Sequence, residues 1–140
     1  MILGKKEIRC GLIGAVDLEE YDYSKDSTSN IRATEATVAE RIPARVTIRR
    51  DAPIELPHIL LLMDDKDDAV LGKLKKNPPA KKLYDFTLME NGGKLTGYLI
   101  ENGDDVLKTL HSLPSNPLIA VGDGNHSLAG AKAAWEEVKA

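Results

Sequence analysis

The chain of 140 residues has a single cysteine, Cys10. One thiol excludes an internal disulfide and a thiolate-rich zinc cluster, and it is the cysteine usage of a reducing compartment. Long apolar runs are also lacking. The longest, Ile59-Leu-Leu-Leu-Met63, is far short of a membrane span, and no signal-type apolar segment follows basic residues at the N-terminus. A cytoplasmic location with no membrane partner is therefore expected. Aromatics are few, with one Trp, four Tyr and one Phe, and none is interleaved with a basic run. Base stacking on single-stranded nucleic acid has little to work with. Positive charge is not in excess either: 19 Lys and Arg stand against 22 Asp and Glu, for a formal net charge of −3. Bulk attraction to nucleic acid or anionic lipid is not expected, and any anion site must be local. Arginine itself is missing after residue 50, so that Arg9, Arg32, Arg41, Arg45, Arg49 and Arg50 all lie in the first part of the chain.

What is present suffices for one compact domain, 1–140: 42% of the residues are hydrophobic and 29% charged, with glycine and proline near average. Residues 7–16 are β-branched and apolar with two glycines and read as a buried strand. Residues 17–30 are polar and aperiodic, the pattern of a long surface loop. Thr37-Val-Ala-Glu40 has the composition of a helix-start box, which Pro43 should interrupt, and 45–49 fits either an alternating strand or a helix that aligns Arg41, Arg45 and Arg49. The run His58 to Asp65 suits a central strand covered on both faces. A helix follows, with Asp64 or Asp65 as its cap and Val70, Leu71 and Leu74 as its buried stripe. Two strands, 83–88 and 95–100, flank Asn91-Gly-Gly93 as a hairpin. A helix from Asp104, a strand over 117–121 and a helix over 127–139 complete the order. The hairpin forces antiparallel pairing, so the fold class is α/β, or α+β, with a mixed sheet of about five strands.

The stretch that carries most chemistry is Gly122-Asp-Gly-Asn-His-Ser127, set between a strand and a helix rich in small residues. A glycine turn at a helix start aims backbone amides and the positive end of the helix dipole at one point, which suits phosphate or carboxylate. Gly122 and Gly124 permit close approach, Asn125, His126 and Ser127 add donors, and Asp123 is a candidate metal ligand, hydroxyl-orienting group or base. The pattern is neither the lysine-containing phosphate loop nor the dinucleotide turn, and an ordinary glycine turn with a cap explains it equally well. Arg32, Thr34 and Glu35 place a clamp, a donor and a base at close spacing, with a helix cap and its ion pair as the plainer alternative. Arg41 and Arg45 are further candidates for gripping an oxyanion, and exposed pairing with nearby acids is the simpler reading. Asp64, at a strand end, is a candidate Mg²⁺ ligand with Asp123, although a helix start needs no metal. His58 lies about 20 Å from Asp64 if the strand between them is unbroken, too far to share one ion.

Several longer motifs resemble a bacterial family known as domain of unknown function 1015. They are Gly11-Leu-Ile-Gly-Ala-Val-Asp-Leu-Glu-Glu-Tyr-Asp-Tyr23, Ile31-Arg-Ala-Thr-Glu-Ala-Thr-Val38, Arg41-Ile-Pro-Ala-Arg-Val46, Ile54-Glu-Leu-Pro-His-Ile59 and Ala120-Val-Gly-Asp-Gly-Asn-His-Ser-Leu-Ala129. The resemblance implies a middle portion of a longer protein, with flanking regions of the same protein as partners. Many relatives carry Asp-Gly-His-His-Arg where this chain has Asp123 to Ser127, a turn similar to that of the ParB and sulfiredoxin-like group. By that likeness Gly124 and the amides after it would cradle phosphate, Asp123 and His126 would contact nucleotide or metal, and Glu35 would be a base. Ser127 in place of the arginine removes a bidentate grip unless an arginine from 32–50 supplies it. The expected function is binding of a nucleotide or phosphorylated metabolite, with Mg²⁺ if phosphoryl is transferred to a small hydroxyl compound. The alternatives are a non-catalytic nucleotide-gated module and a structural interface without a ligand.

Overall fold

Twelve segments of regular structure follow from local signals in a computed structural model that describes residues 8–140. The strands are β1 (Tyr21–Asp22), β2 (Ile31–Ala33), β3 (Leu60–Leu62), β4 (Lys82–Thr87), β5 (Lys94–Tyr98) and β6 (Ile119–Asp123). The α-helices are α1 (Ile42–Arg50), α2 (Leu71–Lys76), α3 (Asp104–His111) and α4 (Asn125–Lys139), and two 3₁₀ turns cover Leu18–Glu20 and Ala39–Arg41. The mixed α/β class is as expected, with the strands divided between a four-stranded mixed sheet and a two-stranded antiparallel one. Contacts group the chain into two compact units, one holding Asp65–Ser112 and the other Gly14–Asp64 with Leu113–Ala140.

In the second unit the strand order is β1-β2-β6-β3, with β1, β2 and β6 parallel and β3 antiparallel to β6. Tyr21, Ile31 and Val121 point to one face and pack with Leu128 of α4, leaving Tyr21 1% and Val121 0% exposed. Helix α1 lies on α4 with Val46 buried. The approach is close because Gly130 has no side chain there: a Cβ at that position would stand 2.8 Å from Arg45 Cβ. Pro43 does not interrupt a helix, as expected above, but sits in the first turn of α1, where the missing N–H would have no partner in any case. With 45–49 thereby helical, Arg45 and Arg49 each donate to the carbonyl one turn back.

Three expectations from sequence are corrected. Residues 8–16 pair with no strand among the described residues, and Ile8 and Ile13 are exposed; Glu7 lies outside the described residues. The polar stretch 17–30 is not all surface loop: Asp17 Oδ1 accepts from Glu19 N–H at 2.9 Å, starting the 3₁₀ turn that delivers Tyr21 into the core. The run around Leu60–Leu62 is an edge strand, and its second face is open, with Leu60 57% and Leu62 50% exposed. A continuous apolar run reads the same whether its outer face is covered or bare.

In the first unit the cap expected of Asp64 or Asp65 is not made on α2 itself, which starts at Leu71 with no side-chain cap; in the turn before it the Asp65 carboxylate accepts from Ala69 N–H at 2.7 Å and Val70 N–H at 2.8 Å. Those backbone bonds, Val70 first, hold its carboxyl below the usual range. The hairpin β4–β5 pairs Phe86 with Leu95 and Thr87 with Lys94, and its turn carries positive φ at Glu90, Asn91 and Gly93. Asp85 binds Lys94 across it and Lys82 of its own strand.

The end of α4 is tied to the 3₁₀ turn through Glu19. Hydrogen bonds from Lys139, then Trp135 and Lys132, lower its carboxyl to about 2 from an ordinary 4.5. A depressed carboxyl contributes stability that is complete above the unfolded-state value and is lost as pH falls from 4.5 towards 2. Wild type is therefore expected to be more stable than Glu19→Gln at neutral pH, with the difference in urea midpoint closing over that acidic window. High salt should shrink it, because Glu19 is half exposed.

Candidate functional site

Two parallel strands, β2 and β6, end side by side, and the residues leaving them meet at the start of α4. Carboxyl ends of parallel strands are where open α/β sheets leave a crevice. At this end Gly124 takes a left-handed conformation, φ 85°, and α4 begins with no side-chain cap on its first amides. A turn of that shape lets the chain leave β6 and enter the helix within one residue.

Asn125 and Thr34 tie the end of β2 to the start of α4. Asn125 is 3% exposed. Its Oδ1 accepts from Thr34 N–H at 3.1 Å, and its Nδ2 donates to Val121 O at 3.3 Å and Thr34 Oγ1 at 3.4 Å. Thr34 Oγ1 donates in turn to Val121 O at 2.5 Å. Both side chains spend these polar groups on each other and on Val121, stitching β2 to the helix start.

Two of the candidate residues, His126 and Glu35, come together: His126 Nδ1 lies 3.7 Å from Glu35 Oε1. The ring's other nitrogen, Nε2, accepts from Val38 N–H at 3.1 Å. A lone pair already taken by an amide is not available to remove a proton from a substrate in this arrangement. Asp123 is exposed at the strand end, and its Oδ1 accepts from Gly124 N–H at 2.7 Å.

Ser127 has an arginine beside it, and that arginine is Arg49. Its Nη2 donates to Ser127 Oγ at 2.9 Å, its Nε binds Glu55 Oε2 at 2.7 Å, and the side chain is 11% exposed. The sequence signal for Arg49 was its helical spacing from Arg45 and Arg41, which became usable only once Pro43 was known to start the helix. Arg41 is exposed at that helix's start, and Arg45 Nη1 donates to Arg41 O at 2.8 Å. His58 also reaches this end, because the next residue, Ile59, packs against Gly124 and Leu60 pairs with Asp123.

Three other candidates are not brought here. Arg32 donates to Ser29 O at 2.7 Å and to Asn116 Oδ1, and Asn116 precedes β6, so its guanidinium sits at the opposite end of the strand from Gly124. Thr34, two positions further on and past the end of β2, reaches Asn125 at the start of α4 instead. Asp64 is likewise at the opposite end: β3 runs antiparallel, with Leu60 beside Asp123, so Asp64 lies beyond the start of β6 rather than its end. Gly122 is on the open sheet face, against the Leu62 side chain. Among the described residues no three His, Cys, Asp or Glu are grouped to hold a metal ion.

The family model described as "Protein of unknown function (DUF1015)" matches residues 1–140, the whole chain. The chain belongs to the DUF1015 family. No curated protein and no solved structure matches it. In this DUF1015 chain no helix among the described residues is long and apolar enough to cross a membrane.

Proposed function

We propose that this DUF1015 chain binds a nucleotide or another phosphorylated metabolite at the turn Asp123 to Ser127, beside Glu35 and Arg49. One observation carries the reading: the uncapped first turn of α4 has a serine hydroxyl and a nearly buried arginine guanidinium side by side, at the ends of two parallel strands. Backbone amides, a hydroxyl and a planar guanidinium are the donor set that grips phosphate oxygens. The likeness of the turn to the ParB and sulfiredoxin-like group supports the same class of ligand. Transfer of phosphoryl to a small hydroxyl compound is the reaction we attach to this site, with Glu35 as the group placed to accept the hydroxyl proton. With Asp64 at the far end of the sheet, the donors do not fit a resident Mg²⁺, so the ion is expected to arrive on the nucleotide's own phosphates.

Thermal unfolding with and without Mg²⁺, against nucleoside phosphates and phosphorylated metabolites, tests this. A true ligand at ~100 times its dissociation constant adds roughly 2.7 kcal/mol and raises the midpoint by several degrees. Ser127→Ala and Arg49→Lys are expected to weaken that ligand about tenfold, because each removes one prong of the grip. No rise with any compound sinks the proposal. Binding without product, measured with the same ligand and candidate acceptors, makes the chain a nucleotide-gated module instead of an enzyme. The open face bearing Leu60 and Leu62 favours a second reading, an interface with another part of a longer protein, and a silent ligand panel would promote it.

A further inference from the structure

We propose that His126 is a proton-operated latch that fastens the Glu35 to Val38 segment to α4 when neutral and releases Val38 when charged. The geometry is asymmetric around the ring. Nε2 faces an N–H donor, the Val38 amide at 3.1 Å, while Nδ1 faces a carboxylate, Glu35 Oε1 at 3.7 Å. An acceptor at Nε2 must be unprotonated, so the neutral ring carries its proton on Nδ1, on the side of Glu35, and keeps its bond to Val38. Adding a proton converts Nε2 to a donor. Two N–H groups then oppose each other across a hydrogen-bonding distance, while the Nδ1 side gains a charged partner in Glu35. The charged ring is thus drawn to Glu35 and repelled by Val38, which leaves the Val38 amide without its acceptor.

The rest of the segment is held by bonds that do not titrate in this range. Thr34 N–H is bound by the Asn125 amide oxygen and Thr34 Oγ1 by Val121 O, so the strand end stays stitched while the Val38 end is set free. Val38 is also the residue from which the 3₁₀ turn into α1 departs, with Arg41 N–H bonded to Val38 O at 3.0 Å. Release is therefore felt at the start of α1, the helix that delivers Arg49 to Ser127. The charged groups on the elements around His126 include Glu35, Glu40 and Arg41 of the 3₁₀ turn, Asp123 just before α4, and last Arg45 and Arg49 of α1, with Asp123 already bonded to Gly124 N–H. None of the last three replaces the acceptor that Val38 loses. The inference rests on this hydrogen-bond pattern alone and holds whether or not a phosphorylated ligand binds at the turn.

Nitrogen-15 NMR of the unmodified chain between pH 8 and pH 5, the range in which imidazoles change charge, tests the latch. At pH 8 the His126 ring is expected as the Nδ1–H tautomer with the Val38 amide protected from exchange. On acidification the Val38 amide shift should follow the His126 ring with one common midpoint, and its exchange, corrected for intrinsic pH dependence, should accelerate about tenfold, as for one lost hydrogen bond. The Thr34 amide should stay protected throughout. His126→Gln, whose side-chain oxygen accepts at every pH, is expected to keep Val38 protected at both ends of the range. The Nε2–H tautomer at pH 8 would overturn the proposal, and so would a Val38 amide whose protection is indifferent to the charge on His126.

Discussion

Replacing Asn125 by alanine is expected to destabilise the unit built on the four-stranded sheet by roughly 2–4 kcal/mol, seen as a drop of about 10 °C in the unfolding midpoint. The side chain is buried and joins three groups: Thr34 N–H, Thr34 Oγ1 and Val121 O. Alanine removes the acceptor of a partly buried backbone N–H and leaves a small void, and neither loss is repaired by water at so enclosed a position. Val121 O suffers less, because Thr34 Oγ1 still donates to it. Asn125→Asp separates the acceptor from the donor. The carboxylate keeps an oxygen for Thr34 N–H but sets a second, charged oxygen against Val121 O, where an amide N–H had been. Burial beside a carbonyl raises the pKa of such a group, so its penalty is greatest at neutral pH and declines as the pH falls and the protonated acid donates. Asn125→Ala has no titrating group and should show no such recovery. An Asp variant as stable as wild type at pH 7 would mean that the Nδ2 bonds contribute nothing, and the stitching role would have to be reassigned to Thr34 alone.

The same residue shows where sequence and structure part. The turn itself was legible, since two glycines between an apolar strand and a small-residue helix can do little else, and the strand and helix around it were located within two residues. The hairpin was legible for the same reason, with Asn91-Gly-Gly93 supplying the positive φ that the connection uses at Asn91 and Gly93. Glu35 and His126 were both picked out, and they meet. What one-dimensional pattern could not show was direction. Asn125 reads as a donor to a ligand or to the protein with equal ease, and only its burial decides. Arg32 and Glu35 are three residues apart, yet β2 carries Arg32 towards Asn116 at one end of the sheet while Glu35 follows the strand out at the other. Asp64 lies away from Asp123 for a related reason, because an antiparallel β3 reverses which end of the strand lies near Asp123. Arg49 stayed undecided because of a proline: reading Pro43 as a breaker left open whether the residues after it form a strand or the helix that aligns the arginines.

Gly124→Val is expected to lower stability by about 3 kcal/mol or more, whereas Gly124→Asn should cost a fraction of that. Two independent terms act on valine. A φ of 85° lies in the left-handed region, unfavourable for any residue with a Cβ and most for a β-branched one, whose strain is on the order of 1–3 kcal/mol. The Cβ would also stand 3.1 Å from Ile59 Cγ1 and 3.4 Å from Ile59 Cα, so backbone as well as side chain is in the way of the extra methyl groups. Asparagine adopts left-handed geometry readily and escapes most of the first term, leaving only the approach to Ile59. Alanine falls between them. If the ordering Gly, Asn, Ala, Val appears in urea unfolding, the left-handed turn sets the cost; if Asn and Ala are equally destabilised, contact with Ile59 does. The distinction reaches function, because the first amides of α4 point where they do only while Gly124 turns the chain. A Gly124→Asn variant that folds like wild type should therefore keep whatever affinity the turn has for a phosphorylated ligand, and Gly124→Val should lose it along with the turn.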